Sequence, residues 1–294
     1  MSVLIKLTGH DKDLGGGFKV RRLLPAAQRQ AVGPFLFFDH FGPVTVEPGK
    51  NHDVRPHPHI GLATVTYLFE GAIMHRDSLG SAQRIEPGAI NWMTAGRGIV
   101  HSERGPEDLK STTYVNHGIQ LWAALPAVHE EVEPAFVHTT AADIPEITVG
   151  QADVRVLIGH AFGKTSPVKT FSSTLYLDVK LKAGGVFELP PLAPELALYL
   201  VEGDVEVDDE AVVAHTLVMI TPGQITRIKA TTTTRLMVLG GEALDSPRFI
   251  WWNLVSSRKV RIKQAAQDWA DQSMGQVPGE TEFMPLPERL MIAD

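Results

Sequence analysis

Short runs in which apolar and polar side chains alternate, or in which β-branched and aromatic residues cluster, recur along the whole chain, and glycine or proline closes most of them. Successive side chains of a strand point to opposite faces, so a period of two marks a half-exposed strand and a short unbroken apolar run marks a buried one. Phe18-Lys19-Val20-Arg21-Arg22-Leu23-Leu24-Pro25 alternates and stops at proline, after a turn signal at Asp13-Leu14-Gly15-Gly16-Gly17. Residues 33–43 place a buried strand and turn between Gly33-Pro34 and Gly42-Pro43. Leu62 to Phe69 is β-branched and aromatic and ends at Glu70-Gly71; Ile73 to Asp77 leads into a turn at Ser78 to Ser81, and Ile85 to Met93 begins a further strand. Turn signals at roughly 8–12-residue spacing predict a small jelly-roll barrel, a shape that holds ligands in its mouth.

The same rhythm returns at 154–159, 175–181, 196–203, 218–223 and 235–241. Tyr67-Leu68-Phe69-Glu70-Gly71 resembles Tyr199-Leu200-Val201-Glu202-Gly203, and Ile85-Glu86-Pro87-Gly88 resembles Ile220-Thr221-Pro222-Gly223, which suggests an internal repeat. The acidic, proline-punctuated stretch from Glu130 to Glu146 reads as a link between domains. The period changes near the end, where Val260, Ala265 and Trp269 fall near helical spacing behind Ser257 as an available cap. A C-terminal helix and a tail that packs back on the body are expected.

At 294 residues the chain exceeds one typical domain of ~150 residues. Hydrophobic content of 44% with 21% charged residues is that of an ordinary globular protein. A net charge of −7 offers no basic footprint, so direct nucleic-acid binding is disfavoured. The absence of cysteine excludes disulfides and thiolate nucleophiles and leaves histidine and carboxylate as the strong metal ligands. Met1 to Lys6 lacks the pattern of a secretory signal, and no uncharged apolar stretch approaches the ~18 residues of a membrane span. A cytoplasmic monomer is expected.

The candidate chemistry lies in Arg55-Pro56-His57-Pro58-His59 and His101-Ser102-Glu103. On strands, His57 shares a face with His59, and His101 with Glu103; two such strands side by side converge four ligands. Three imidazoles and one carboxylate suit a divalent first-row metal, iron(II) before copper, nickel or zinc, and fit no all-oxygen cage. A lone His-x-His is more often a pair of half-buried strand histidines, and it is the second motif of equal spacing that favours a metal. The second half has no such ligands: the corresponding stretch reads Leu189-Pro190-Pro191, and only His160 and His215 follow residue 150.

Arg55 to Gly61, Tyr67 to Gly71, the run Asn91-Trp92-Met93-Thr94-Ala95-Gly96-Arg97-Gly98-Ile99-Val100-His101-Ser102-Glu103, and His117 to Trp122 together resemble the pirin family of the cupin superfamily. The likeness extends more loosely to Phe37 to Pro43 and to Trp252 to Trp269, so it spans essentially the whole chain. It implies an all-β protein of two cupin-type jelly-roll barrels in tandem with a short C-terminal helix. The expected division is an N-terminal metal-binding barrel at 1–135, a linker at 136–150, and a metal-free barrel with helix and tail at 151–294. The family's single iron is bound by three histidines and one glutamate, which match His57, His59, His101 and Glu103. The general cupin glutamate a few residues after His-x-His is replaced here by Ala63 or Thr64.

Two functions follow from the resemblance. One is a dioxygenase that cleaves a flavonol such as quercetin, in which Glu103 loosens from Fe(II) and takes the substrate's hydroxyl proton. The other is an iron- and redox-dependent regulatory protein that binds a transcription factor or metabolic enzyme. Among the remaining residues, His40 and His117 either support the site or are ordinary loop histidines. Gln120 either reaches a ligand or substrate or is structural, and Gly96-Arg97-Gly98 reads as a tight turn that delivers His101. His52, His75, His129, His138, His160 and His215 read as surface or structural.

Overall fold

A computed structural model describes residues 3–14, 18–50 and 52–288, where strands dominate and one α-helix, Lys259–Ala270, lies near the end. The glycines of the expected turn at Gly15 to Gly17 lie outside the described residues. Among the described residues no helix is long and apolar enough to cross a membrane.

The chain forms two compact units, each an all-β barrel, but the units are not consecutive in sequence. One takes Lys12–Val20, His40–His138 and Asp245–Asp294; the other takes Met1–Asp11, Arg21–Asp39 and Thr139–Leu244. This differs from the expected division at 136–150, and three of the differences have a physical cause in the strand and helix contacts. The strand Val3–Leu7 pairs antiparallel with Leu217–Ile220, and Lys6 Nζ donates to the Ala211 carbonyl at 2.8 Å, so an N-terminal segment covers what would be an open edge of the second barrel. The expected linker contains two strands: Ala135–Thr139 lies beside Ile90–Thr94, and Glu146–Val149 pairs with Ala152–Ile158. The C-terminal helix belongs to the histidine-bearing unit, where Ile262, Ala265 and Ala266 pack with Ile60 and Leu254, and Trp269 packs with Val100.

In that unit one sheet runs in the order Val54–His59, Ile99–Arg104, Ile73–Asp77, Ala82–Ile85. The other includes, in order, Ala135–Thr139, Ile90–Thr94, Leu62–Glu70 and Tyr114–Ala124. In the second unit the long sheet runs Val3–Leu7, Leu217–Ile220, Glu195–Glu202, Thr234–Gly241, Thr174–Leu181, Ala152–Ile158, Glu146–Val149. Its interior is filled by apolar side chains, Leu177, Phe187, Leu198, Ile228, Leu236 and Val238 among them.

The helix differs from its sequence pattern in detail. Val260, expected on the buried face, is 69% exposed, and Ile262 takes that place at 0%. Ser257 does not cap the helix, whose N-cap is Arg258 with no side-chain capping hydrogen bond. Instead Ser256 Oγ, Ser257 Oγ and the Ser257 N–H all donate to Glu130, which is buried and ion-paired with Arg248 at 2.8 Å. Leaving a buried carboxylate short of partners costs more than losing a cap. Replacing Ile262 with alanine is expected to cost about 2–4 kcal/mol. Val260→Ala should stay within about 0.5 kcal/mol. Urea melts of both variants check the contrast, and equal losses would show that the buried face is misassigned.

Candidate metal centre

The first sheet sets the site by register. Ile99–Arg104 pairs antiparallel with Val54–His59, placing His101 opposite His57 and Ile99 opposite His59. A bulge between His101 and Glu103 shifts Glu103 to face Val54. Gly96, at φ +52°, makes the turn that feeds this strand, as expected of Gly96-Arg97-Gly98; a Cβ there would run into the Val132 carbonyl oxygen. The Gly96 carbonyl in turn accepts from the Gly61 N–H at 2.9 Å, tying the ends of the two histidine strands together.

His57, His59 and His101 are 5%, 1% and 1% exposed, with ring centroids 4.4 to 5.0 Å apart. They offer one ligand atom each, all within 4.8 Å of one another, and form the one such group of three or more found among the described residues. Their tautomers follow from their bonds. His57 Nδ1 lies 2.8 Å from the Arg55 carbonyl and His59 Nδ1 lies 2.9 Å from the Asn253 carbonyl. A carbonyl only accepts, so each Nδ1 carries the proton and each Nε2 keeps a free lone pair. His101 Nε2 is buried with no hydrogen-bond partner. Burial pushes His57 down to about 4, with the Arg55 carbonyl bond working the other way. Burial, reinforced by the neighbouring imidazoles, holds His59 and His101 well below the ordinary value. Three neutral, convergent imidazoles, one with an orphaned nitrogen, fit a divalent metal.

Glu103 stands apart from that group. Its carboxyl is 3.5 Å from the Thr66 hydroxyl, which lies closer to Gln120 Oε1, at 2.9 Å. A hydroxyl has one proton to donate and Gln120 Oε1 is the nearer acceptor, so Thr66 holds Glu103 only loosely. Burial raises its pKa above the ordinary glutamate value. Gln120 accepts from the Thr66 hydroxyl, which also lies beside Glu103. Trp122 sets its ring edgewise to His59, centroids 5.1 Å apart.

The other histidines separate clearly. His40 and His117 face one another, Nε2 to Nε2 2.7 Å, against Phe69. His138 Nδ1 bonds Asn91 at 2.7 Å, His160 bonds Thr165 at 2.8 Å, and His52 stacks on Phe18. His75 differs from its reading as a surface or merely structural residue. It is 4% exposed, lies 3.4 Å from His101 through their Nδ1 atoms, bonds Asp77 at 2.9 Å through Nε2, and stacks on Phe136 at 4.1 Å. A signal was present: His75-Arg76-Asp77 has the same alternate spacing on a strand as His57-x-His59 and His101-x-Glu103.

Comparison with known proteins agrees with this geometry. The pirin family model matches residues 17–123, and the model of the pirin C-terminal cupin domain matches residues 176–275. A pirin-like protein of Caulobacter vibrioides is 46% identical, covering 94% of this chain and 96% of its own length. Human pirin is 31% identical, with 93% of each chain covered. A crystal structure of quercetin 2,3-dioxygenase from Acinetobacter baumannii superposes with a TM-score of 0.91 at 31% identity, covering 100% of this chain and 97% of that one. With both barrels matched and a histidine triad in the first, this chain belongs to the pirin family.

Proposed function

We propose that the protein is an iron(II)-dependent dioxygenase of flavonols, acting on quercetin-type substrates, with His57, His59, His101 and Glu103 as the ligands of one metal ion. The observation that carries this reading is the convergence of three buried, neutral imidazoles in a cysteine-free chain. The name of the Acinetobacter baumannii neighbour supports the substrate class. Bound by this donor set, iron supplies a Lewis acid and a one-electron couple.

The chain's own residues do the rest. Glu103 serves both as fourth ligand and as base for the flavonol hydroxyl, because a loosely held carboxylate can rotate between the two tasks. Its raised pKa brings it nearer to neutrality, where a general base is most effective. Trp122, set edgewise to His59, offers an aromatic surface beside the triad for a flat ring system. The burial of the triad limits the access of water to the reacting oxygen.

The test is oxygen uptake. Anaerobically reconstituted Fe(II) protein is expected to consume oxygen when quercetin is added, with loss of the flavonol absorbance, and His101→Ala is not. Turnover no faster than free iron would overturn the proposal. A pull-down whose captured partner depends on the iron's oxidation state would then favour the regulatory function.

A further inference from the structure

We propose that His75 and Asp77 are positioning residues that fix the proton of His101 on Nδ1, so that its Nε2 is presented to the metal. The inference rests on the metal-binding reading of the triad. His57 and His59 have their tautomers set by backbone carbonyls, which accept and cannot donate. His101 has no such partner. Its Nδ1 faces the Nδ1 of another histidine at 3.4 Å, and two ring nitrogens can share a proton in either direction.

Asp77 removes that ambiguity. Its Oδ2 lies 2.9 Å from His75 Nε2, while its Oδ1 accepts from the Leu79 and Ser81 N–H groups at 2.9 and 3.0 Å. Burial alone would raise this carboxyl, but the bonds from His75 and Ser81 outweigh it and hold Asp77 below the usual carboxylate value. An acceptor at Nε2 places the His75 proton there and leaves its Nδ1 lone pair for the His101 Nδ1–H. The order Asp77 to His75 to His101 is built by strand register: Asp77 lies opposite His101, and His75 opposite Glu103. Phe136, stacked on His75 at 9° between planes, keeps the imidazole flat in that position.

The relay makes a sharp demand on one atom. In Asp77→Asn the amide oxygen would take the Leu79 and Ser81 N–H groups and leave the NH₂ facing His75 Nε2. His75 would then have to carry its proton on Nδ1, against the proton of His101. The variant should lower metal affinity about 10–100-fold, the range for partners behind a metal ligand. His75→Phe, which preserves the stack on Phe136 but offers no acceptor, should lose a similar factor. The double variant should lose no more than His75→Phe alone, because Asp77 acts only through His75.

Zn²⁺ competition with a chromophoric chelator measures the affinities without redox chemistry. Long-range ¹H–¹⁵N NMR of the metal-free wild-type protein reads the tautomers directly, independently of whether any variant folds. His101 protonated on Nδ1 and His75 on Nε2 is the expected result. The reverse tautomers, a folded Asp77→Asn within twofold of wild-type affinity, or additive losses would overturn the relay while leaving the metal site intact. Wild-type protein that takes up no zinc would overturn both.

Discussion

Alanine at His101 is expected to leave the purified protein with less than a tenth of the metal carried by the wild type, and His57→Ala should do the same. Even partners behind a metal ligand typically cost about 10–100-fold in affinity, so removal of one of the three converging imidazoles should exceed roughly 100-fold. The two imidazoles that remain keep their Nδ1 bonds to Arg55 and Asn253, or to His75, and so cannot turn to make up the loss. Glu103→Ala should give a smaller loss, because its carboxyl lies outside the group whose ligand atoms converge. Elemental analysis after dialysis against a weak chelator measures all three. Full occupancy in His101→Ala would rule out the triad as the site.

The pairing of the candidate ligands by face was legible because it depends on the most local rule of strand geometry. Residues two apart share a face, and that alone puts His57 with His59 and His101 with Glu103. What the sequence could not convey is which strand neighbours which. The placement of Val3–Leu7 beside Leu217–Ile220 is a long-range choice with no local trace, and it is one of the ways the two units interleave along the chain. His75 carried the spacing signal but not its burial, which depends on Ile73–Asp77 pairing with the far edge of Ile99–Arg104 and not on its neighbours in sequence. The helix was legible as a helix, but its buried face turns on where Ile60 and Val100 lie, which selects Ile262 over Val260. For Glu103, strand alternation gives the face but not the side-chain torsions. Its carboxyl therefore rests near Thr66 and not among the imidazoles.

Metal-free protein should lose stability steeply as the pH falls below 6.5. The sign follows from the direction of the shifts: a histidine whose folded pKa is lowered contributes fully above its unfolded value and loses that contribution as the pH falls toward the folded one. His57 has an ordinary value of 6.5 and a folded value of about 4. It alone therefore accounts for a loss of about 2 kcal/mol by pH 5 and about 3 kcal/mol by pH 4. His59 and His101 are lowered further and act in the same direction. Glu103 opposes them, since its raised pKa favours the folded state as it protonates, but one carboxyl does not offset three imidazoles. The lowered Asp77 acts only below its ordinary value of 3.8, outside this window. Urea melts of the metal-free protein from pH 7.5 to 5 read the slope, and His57→Ala should flatten it by its own share. Added Zn²⁺ should hold the histidines unprotonated and displace the loss to lower pH, because metal and proton compete for the same Nε2 atoms. A stability that stays level from pH 7.5 to 5 in the metal-free protein would mean that the triad is not buried and neutral in solution.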